Sequence, residues 1–271
     1  MAANGNGAAA DFITVGVGNE ARRIAVAFHR AASGNTLAHL VWLGGYRSDM
    51  SGTKAVELAA LAGRIGTASI RFDYSGHGAS GGAFVDGTIS RWLEEALAVI
   101  DHAAETLGTR RVVLVGSSMG GWIALRAVAE LAKRRDIAIA GLVLIAPAPD
   151  FTSELIEPNL TEAERTALAE RGQFEDPSPY GPDPNIYTRK LIEDGRENRV
   201  LDGVIDTGCP VHILQGMADP DVPYAHAVRL MEHLSGDDVV LTMIRGGDHR
   251  LSRPQDIAKI LEAAEGFARL A

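Results

Sequence analysis

Residues 112–121 read Val-Val-Leu-Val-Gly-Ser-Ser-Met-Gly-Gly, and they are the strongest indication of the fold class in this sequence. An apolar run typical of a buried strand ends in Gly-x-Ser-x-Gly, and a helix-like segment from Trp122 to Arg134 follows. Strand, tight turn and helix in that order are the context of a nucleophile elbow, where a strained turn raises the serine hydroxyl above the sheet. The motif alone is equally compatible with an ordinary strand-to-helix loop, so the remaining sequence has to distinguish the two.

The composition is that of an ordinary globular protein and argues against several classes. The 271 residues are 46% hydrophobic and 23% charged, with a net charge of −9 and a single cysteine, Cys209. The negative charge argues against a nucleic-acid partner, and no apolar stretch reaches the roughly 20 residues of a membrane span. We see no secretory signal, and we interpret Cys209 as a buried structural thiol. We therefore expect a bacterial cytoplasmic protein.

Strand-like and helix-like segments alternate along the chain. The apolar patterns predict strands at residues 12–17, 22–30, 39–43, 67–72, 140–146, 211–214 and 239–244, besides the run that leads into Ser118. Helical periodicity appears at residues 53–64, 89–107, 122–134, 222–234 and 254–270. This alternation predicts an α/β fold, with a mostly parallel eight-stranded sheet covered by helices on both faces and opened by an antiparallel hairpin.

The alternation is interrupted once, between Pro149 and Thr207. Prolines, acidic residues and turn residues dominate there, with one helical patch at residues 161–171 and no recognisable strand. Long insertions of this kind are usually lids or binding loops. We therefore predict a single domain spanning residues 1–271, with a small lid or cap insertion at residues 149–207.

Two later strands lead into residues that could activate a serine. A serine hydroxyl is a poor nucleophile until a base takes its proton, and the base needs an orienting acid. The strand at residues 211–214 leads to Asp219, and the strand at residues 239–244 leads to His249. The order Ser118, Asp219, His249 predicts a catalytic triad at the carboxyl edge of the sheet.

Each of these assignments has a rival. Ser117 stands at the wrong position of the turn to be the nucleophile. Asp221 is the alternative acid, although it could equally cap the following helix. Asp248 is expected to point away from the site. His77, in a glycine-rich loop, is the only other histidine considered for a site role, and we favour a loop-stabilising role for it.

Five short strings together resemble a known family. They are Gly45-Tyr46, Gly52–Ala55, Arg71–Gly76, Gly116–Trp122 and Asp248–Arg250. With the order of the triad, they resemble the α/β-hydrolase superfamily over nearly the whole chain. Within it they look like the mitochondrial palmitoyl-protein thioesterases, also described as acyl-glucuronide esterases, and their bacterial relatives.

The resemblance implies a serine hydrolase that cleaves acyl thioesters or carboxylic esters through an acyl-enzyme, with no metal and no organic cofactor. Its substrate would be a small molecule or an acylated partner. A general carboxylesterase or an acyl-glucuronide esterase is the alternative, followed by a serine peptidase and a non-catalytic scaffold. The sequence leaves the acyl chain length and the oligomeric state open.

The resemblance also implies an oxyanion hole, made by the backbone N–H groups of Met119 and Tyr46. Many relatives have histidine before the glycine of the Tyr46 loop, whereas this chain has Gly44. The change removes a side chain that often braces the loop but no backbone donor. For the acyl pocket, four residues are predicted as lining: Trp122, Leu155, Ile156 and Met217.

Overall fold

A computed structural model describes residues 11–178 and 181–270. The strands are β1 (Asp11–Val15), β2 (Arg22–His29), β3 (His39–Leu43), β4 (Ser69–Phe72), β5 (Arg111–Ser117), β6 (Ala138–Ile145), β7 (Gln173–Asp176), β8 (Asn185–Thr188), β9 (Val211–Gly216) and β10 (Val239–Ile244). The helices are α1 (Thr53–Ile65), α2 (Ile89–Leu107), α3 (Met119–Arg134), α4 (Glu162–Arg171), α5 (Arg189–Glu197), α6 (Tyr224–His233) and α7 (Pro254–Arg269). Residues 1–10, where a secretory signal would begin, lie outside the described residues.

The main sheet has eight strands in the order β1-β2-β4-β3-β5-β6-β9-β10. Strand β2 runs antiparallel to β1 and β4, while β4, β3, β5, β6, β9 and β10 are mutually parallel. The predicted mostly parallel eight-stranded sheet is thus confirmed, including its opening hairpin. Because β5, β9 and β10 are parallel, the loops that follow them leave the same edge of the sheet.

Helices cover both faces of this sheet, and β5 shows why. Val112 and Leu114 belong to a core shared with α2 and α3, whereas Val113 and Val115 belong to a core shared with α1 and α7. All four side chains are fully buried. A strand buried on both faces appears in the sequence as a continuous apolar run, which is the pattern that precedes Ser118.

The segment between β6 and β9 contains more regular structure than the sequence predicts. A short π-helix spans Thr152–Ile156, α4 begins after a capping box formed by Thr161 and Glu164, and β7 pairs antiparallel with β8. The prediction of an insertion without a strand was wrong. Each of these strands has only four residues, and neither shows the apolar alternation on which strand prediction depends.

Across the described part of the chain, no helix combines the length and apolar character needed to cross a membrane.

Candidate active site

Ser118 occupies the sharp turn between β5 and α3. Its backbone has φ 53° and ψ −118°, a conformation that is costly for a residue with a side chain. The flanking glycines are required sterically. A Cβ on Gly116 would lie 2.4 Å from the carbonyl oxygen of Gly120, and one on Gly120 would lie 2.1 Å from that of Leu43. The Gly-x-Ser-x-Gly spacing therefore follows from the close approach of strand and helix.

The structure brings Ser118, His249 and Asp219 into one hydrogen-bonded chain. His249 Nε2 lies 3.1 Å from Ser118 Oγ, and its Nδ1 lies 2.9 Å from Asp219 Oδ2. An ionised carboxylate only accepts hydrogen bonds, so the imidazole proton belongs on Nδ1. Nε2 then carries the lone pair that accepts the proton of the serine hydroxyl, as a general base must.

The Asp219 side chain is fully buried, and its carboxylate accepts several hydrogen bonds. Its Oδ1 accepts the backbone N–H groups of Asp221 and Val222, each at 2.9 Å, and its Oδ2 accepts Gln215 Nε2 at 3.1 Å. Burial alone would raise the pKa of this carboxyl. The hydrogen bond and charge of His249, together with the two backbone donors, outweigh burial and lower the pKa. Asp219 is therefore held ionised beside the imidazole.

The two neighbouring aspartates, Asp221 and Asp248, make other hydrogen bonds than Asp219 does. Asp221 is exposed, and its N–H supports Asp219 rather than capping α6, whose N-cap position is Pro223. Asp248 is exposed, and its Oδ1 accepts the backbone N–H of Leu251 at 3.0 Å.

Gln215, which no sequence motif marked, is fully buried and bridges Asp219 to the carbonyl oxygen of Val222.

The two candidate oxyanion donors lie beside Ser118. Met119 opens α3, where the helix dipole favours negative charge, and Tyr46 follows Gly44-Gly45 after β3. A Cβ on Gly45 would lie 3.3 Å from Ser118 Cβ, so this loop passes directly against the serine. Among residues 11–178 and 181–270, no acceptor engages the N–H of Met119 or Tyr46. Both donors thus remain available for a substrate oxyanion.

The Tyr46 side chain ties this loop to β8. Its ring stacks on Tyr187 with centroids 5.5 Å apart, and its hydroxyl donates to the carbonyl oxygen of Ile186. Phe84 packs edge-on against the same ring at 4.9 Å. The candidate oxyanion loop is therefore held by the segment between β6 and β9 as well as by β3.

His77 braces the same loop from the opposite side. It is buried, its Nε2 accepts the backbone N–H of Arg47 at 3.1 Å, and its Nδ1 donates to Ser75 O at 3.1 Å. Arg47 needs this support because its φ is 56°. Burial, aided by the Arg47 charge, lowers the pKa of His77 to about 4, so the neutral form persists at neutral pH. The favoured loop-stabilising role agrees with this geometry, because His77 holds the loop after β3 through the backbone N–H of Arg47.

Replacing His77 by alanine is expected to lower kcat for ester or thioester hydrolysis by about tenfold to 100-fold, because small misplacements of a donor are costly. The KM should change by less than about threefold. His77→Gln keeps an acceptor for the Arg47 N–H and should recover part of the loss. Steady-state kinetics of both variants, beside the exposed control His29→Ala and with melting curves, test this. An unchanged kcat in a folded His77→Ala protein would contradict the bracing role.

A cavity of about 400 Å³ opens above Ser118. One part of its wall is apolar and consists of Ala148, Phe151, Leu155, Ile156 and Val222. The polar part consists of Asn159, Asp176, Asn185 and Asp221, and the remaining lining includes Tyr46, Met119, Tyr187 and His249. Leu155 and Ile156 are therefore on the wall, where the sequence prediction placed them.

The other two predicted pocket residues are not on this wall. Trp122 is completely buried, its indole N–H donates to Asn198 O at 3.0 Å, and its ring meets Phe151 edge-on at 5.6 Å. It supports the wall from behind, because the first turn of α3 packs into the core. Met217 is 43% exposed and lies outside the cavity, since the turn after β9 directs it to the surface.

Of the described residues, only Asp219, Asp221 and His249 bring carboxylate and imidazole atoms close enough, within 4.8 Å, to hold a metal ion. Two of these three residues already bond to each other, and the Nδ1 of His249 bears a proton. The arrangement suits proton transfer better than metal ligation, and the absence of a metal stays a prediction.

Comparison with known proteins identifies the family. A model of the Alpha/beta hydrolase family matches residues 29–260. The Palmitoyl-protein thioesterase ABHD10, mitochondrial, of Mus musculus is 33% identical over 223 residues, covering 80% of this chain and 71% of that protein.

Solved structures also superimpose closely. A crystal structure from Agrobacterium vitis S4 is 61% identical with a TM-score of 0.92, over 96% of this chain and 98% of that one. The mouse Alpha/beta hydrolase domain-containing protein 10 is 26% identical with a TM-score of 0.79, over 96% of this chain and 98% of that one.

Proposed function

Because this chain belongs to the alpha/beta hydrolase family, we propose that it is a serine hydrolase of acyl thioesters or carboxylic esters. The observation that carries the proposal is the hydrogen-bonded chain from Ser118 through His249 to Asp219, opening into a partly apolar cavity. The relatives named as palmitoyl-protein thioesterases support the thioester half of the proposal.

In the proposed reaction, Ser118 Oγ attacks the acyl carbonyl carbon while His249 Nε2 takes the hydroxyl proton. The N–H groups of Met119 and Tyr46 stabilise the tetrahedral oxyanion, and each such donor is worth roughly 3 kcal/mol of barrier. His249 then returns the proton to the departing thiolate or alkoxide. Water, activated by His249, attacks the acyl-enzyme and releases the carboxylic acid.

The apolar wall is the proposed site of the acyl chain. Phe151, Leu155 and Ile156 can remove methylene groups from water, which is worth roughly 0.8 kcal/mol for each buried CH₂.

We further propose that residues 149–207 act as a lid within a single domain spanning residues 1–271, since they supply most of the apolar wall. The bacterial cytoplasmic location and the lack of a nucleic-acid partner stay predictions from the sequence.

The proposal is tested by labelling with a fluorophosphonate probe and mapping the modified peptide. Hydrolysis of matched thioesters and esters, from butanoyl to palmitoyl, is measured on the same preparation. We expect labelling at Ser118 and thioester turnover that rises with chain length. Turnover of short esters alone would retain the serine mechanism but exclude the long-chain substrate, whereas no labelling and no turnover would favour a non-catalytic scaffold.

A further inference from the structure

Two of the five sequence strings that resemble the family, Gly52–Ala55 and Asp248–Arg250, meet at a hydrogen bond that the proposed reaction does not use. The Nζ of Lys54, in the first turn of α1, donates to the backbone carbonyl oxygen of Arg250. Arg250 directly follows His249, the proposed base. This contact therefore joins α1 to the loop that carries the base.

The position of Lys54 is unfavourable for a cation. The N-terminus of a helix carries positive partial charge, so the dipole of α1 opposes a lysine in its first turn. Burial, with a smaller contribution from the charge of Arg250, lowers the pKa of Lys54 to about 8 against the opposing charge of Asp248. An ammonium group gives a carbonyl oxygen a stronger hydrogen bond than a neutral donor does. The contact with Arg250 therefore offsets part of the cost of placing the cation there.

The loop that carries His249 is strained just after the base. Leu251 is fully buried with φ 45°, a conformation that a residue with a side chain keeps only where its surroundings hold it. Within the loop, the Leu251 N–H donates to Asp248 Oδ1 at 3.0 Å, and Ser252 Oγ donates to Arg250 O at 3.0 Å. The Arg250 carbonyl belongs to the peptide bond that leads into the strained residue, so a donor bound to it restrains the loop at that point.

Different elements hold the two sides of the base. Before it, the backbone N–H of Ala218 donates to Gly247 O at 2.9 Å, which ties this loop to the loop that carries the acid. After it, the hydrogen bond from Lys54 ties the loop to α1. The imidazole between these attachments has to stay within hydrogen-bond reach of the serine, at the 3.1 Å found between His249 Nε2 and Ser118 Oγ. Support on both sides of the base serves this requirement.

The charged groups around Lys54 line a second cavity, separate from the one above the nucleophile. This cavity has a volume of about 440 Å³, and its lining includes Asp248, Arg250 and Arg253 as well as Lys54. Arg253 forms an ion pair with the buried Asp256, with Nε 2.7 Å from Oδ2. Arginine side chains stay protonated at every accessible pH, whereas the ammonium of Lys54 loses its proton above about pH 8.

We propose that Lys54 is a positioning residue for the base: its ammonium group holds the Arg250 carbonyl and thereby keeps His249 within reach of Ser118. This inference rests on the proposed serine hydrolase function. Lys54 does not line the cavity above Ser118, so its loss should lower kcat and leave substrate binding nearly unchanged. Because the hydrogen bond is strongest while the amine is protonated, activity should fall as the pH rises through about 8.

The first test replaces Lys54 by methionine, which keeps the length of the side chain but removes the donor. We expect kcat for 4-nitrophenyl butanoate, and the rate constant of fluorophosphonate labelling at Ser118, to fall by about tenfold to 100-fold, because small misplacements of a catalytic group are costly. The KM should change by less than about threefold. Lys54→Arg keeps a charged donor beside the second cavity and should recover most of the loss. Lys259→Met, at an exposed position of α7, is the matched control and should change neither rate.

The pH profile is the second test, and it does not depend on the folding of Lys54→Met. After correction for spontaneous hydrolysis, wild-type kcat should fall about threefold to tenfold between about pH 7 and about pH 9.5, whereas Lys54→Arg should keep its activity because a guanidinium stays protonated. An unchanged kcat in a Lys54→Met protein that melts like wild type, or the same alkaline decline in Lys54→Arg, would overturn the positioning role and leave the hydrolase function intact. No turnover and no fluorophosphonate labelling of the wild-type protein would instead overturn the proposed function, and this inference with it.

Discussion

Replacing Ser118 by alanine is expected to lower the turnover of acyl thioesters and esters by about 10⁶, the loss found when a triad nucleophile is removed. The reason is that the substitution removes Ser118 Oγ, which lies 3.1 Å from the imidazole Nε2 at the opening of the cavity. Labelling by the fluorophosphonate probe should also be lost in the Ser118→Ala protein. The fold should survive, because the substitution keeps a Cβ in the same strained turn.

The matched control for this experiment is Ser117→Ala. Ser117 precedes the nucleophile in the chain but ends β5 and does not line the cavity above Ser118. Removing the Ser117 hydroxyl should change kcat/KM by less than about threefold. Turnover is measured on both variants after a column step that removes host esterases, and circular dichroism verifies the fold. Substantial residual activity in pure Ser118→Ala protein would refute the proposed mechanism.

The three residues of this hydrogen-bonded chain could be predicted because each depends on a strand. Apolar runs locate β5, β9 and β10, and parallel pairing brings the residues after them to one edge of the sheet. Ser118, Asp219 and His249 then need only short loops to meet. The loops of Met119 and Tyr46 also follow strands, but their role as oxyanion donors came from the resemblance to the family and stays a prediction.

The cavity wall was harder to predict, because it depends on contacts between distant segments. Asp176 and Tyr187 come from β7 and β8, which are too short and too polar to show a period in the sequence. Trp122 was expected on the wall because it is close to Ser118 in the chain. However, helical rotation turns it into the core, where it reaches Asn198. The brace from His77 to Arg47 likewise joins two loops whose relative position no local pattern encodes.

Replacing Asp219 by asparagine is expected to lower kcat by about 10⁴, the loss found for the equivalent change in a serine protease triad. An amide can present its NH₂ group to the imidazole Nδ1, which would then lose its proton to Nε2. In that tautomer Nε2 cannot accept the hydroxyl proton of Ser118. The buried carboxylate that stabilises the imidazolium is lost as well.

The same substitution has a pH-dependent effect on stability. The pKa of Asp219 is lowered in the folded protein, so its carboxylate stabilises the fold above the unfolded value of about 4. This contribution is lost as the pH falls through the folded pKa. Urea unfolding of wild type and Asp219→Asn should therefore show a stability difference at pH 7 that shrinks on acidification, and a difference independent of pH would contradict the lowered pKa.

Two further variants distinguish the acid from its neighbours. Asp248→Asn keeps an acceptor for the N–H of Leu251 and should leave kcat within about threefold. Asp221→Asn keeps the backbone N–H that supports Asp219, so its effect on kcat should be far smaller than that of Asp219→Asn. If the loss in Asp221→Asn were the larger, Asp221 would be the acid that orients His249. The fully buried Asp219 carboxylate would then be a structural anchor for the loop after β9.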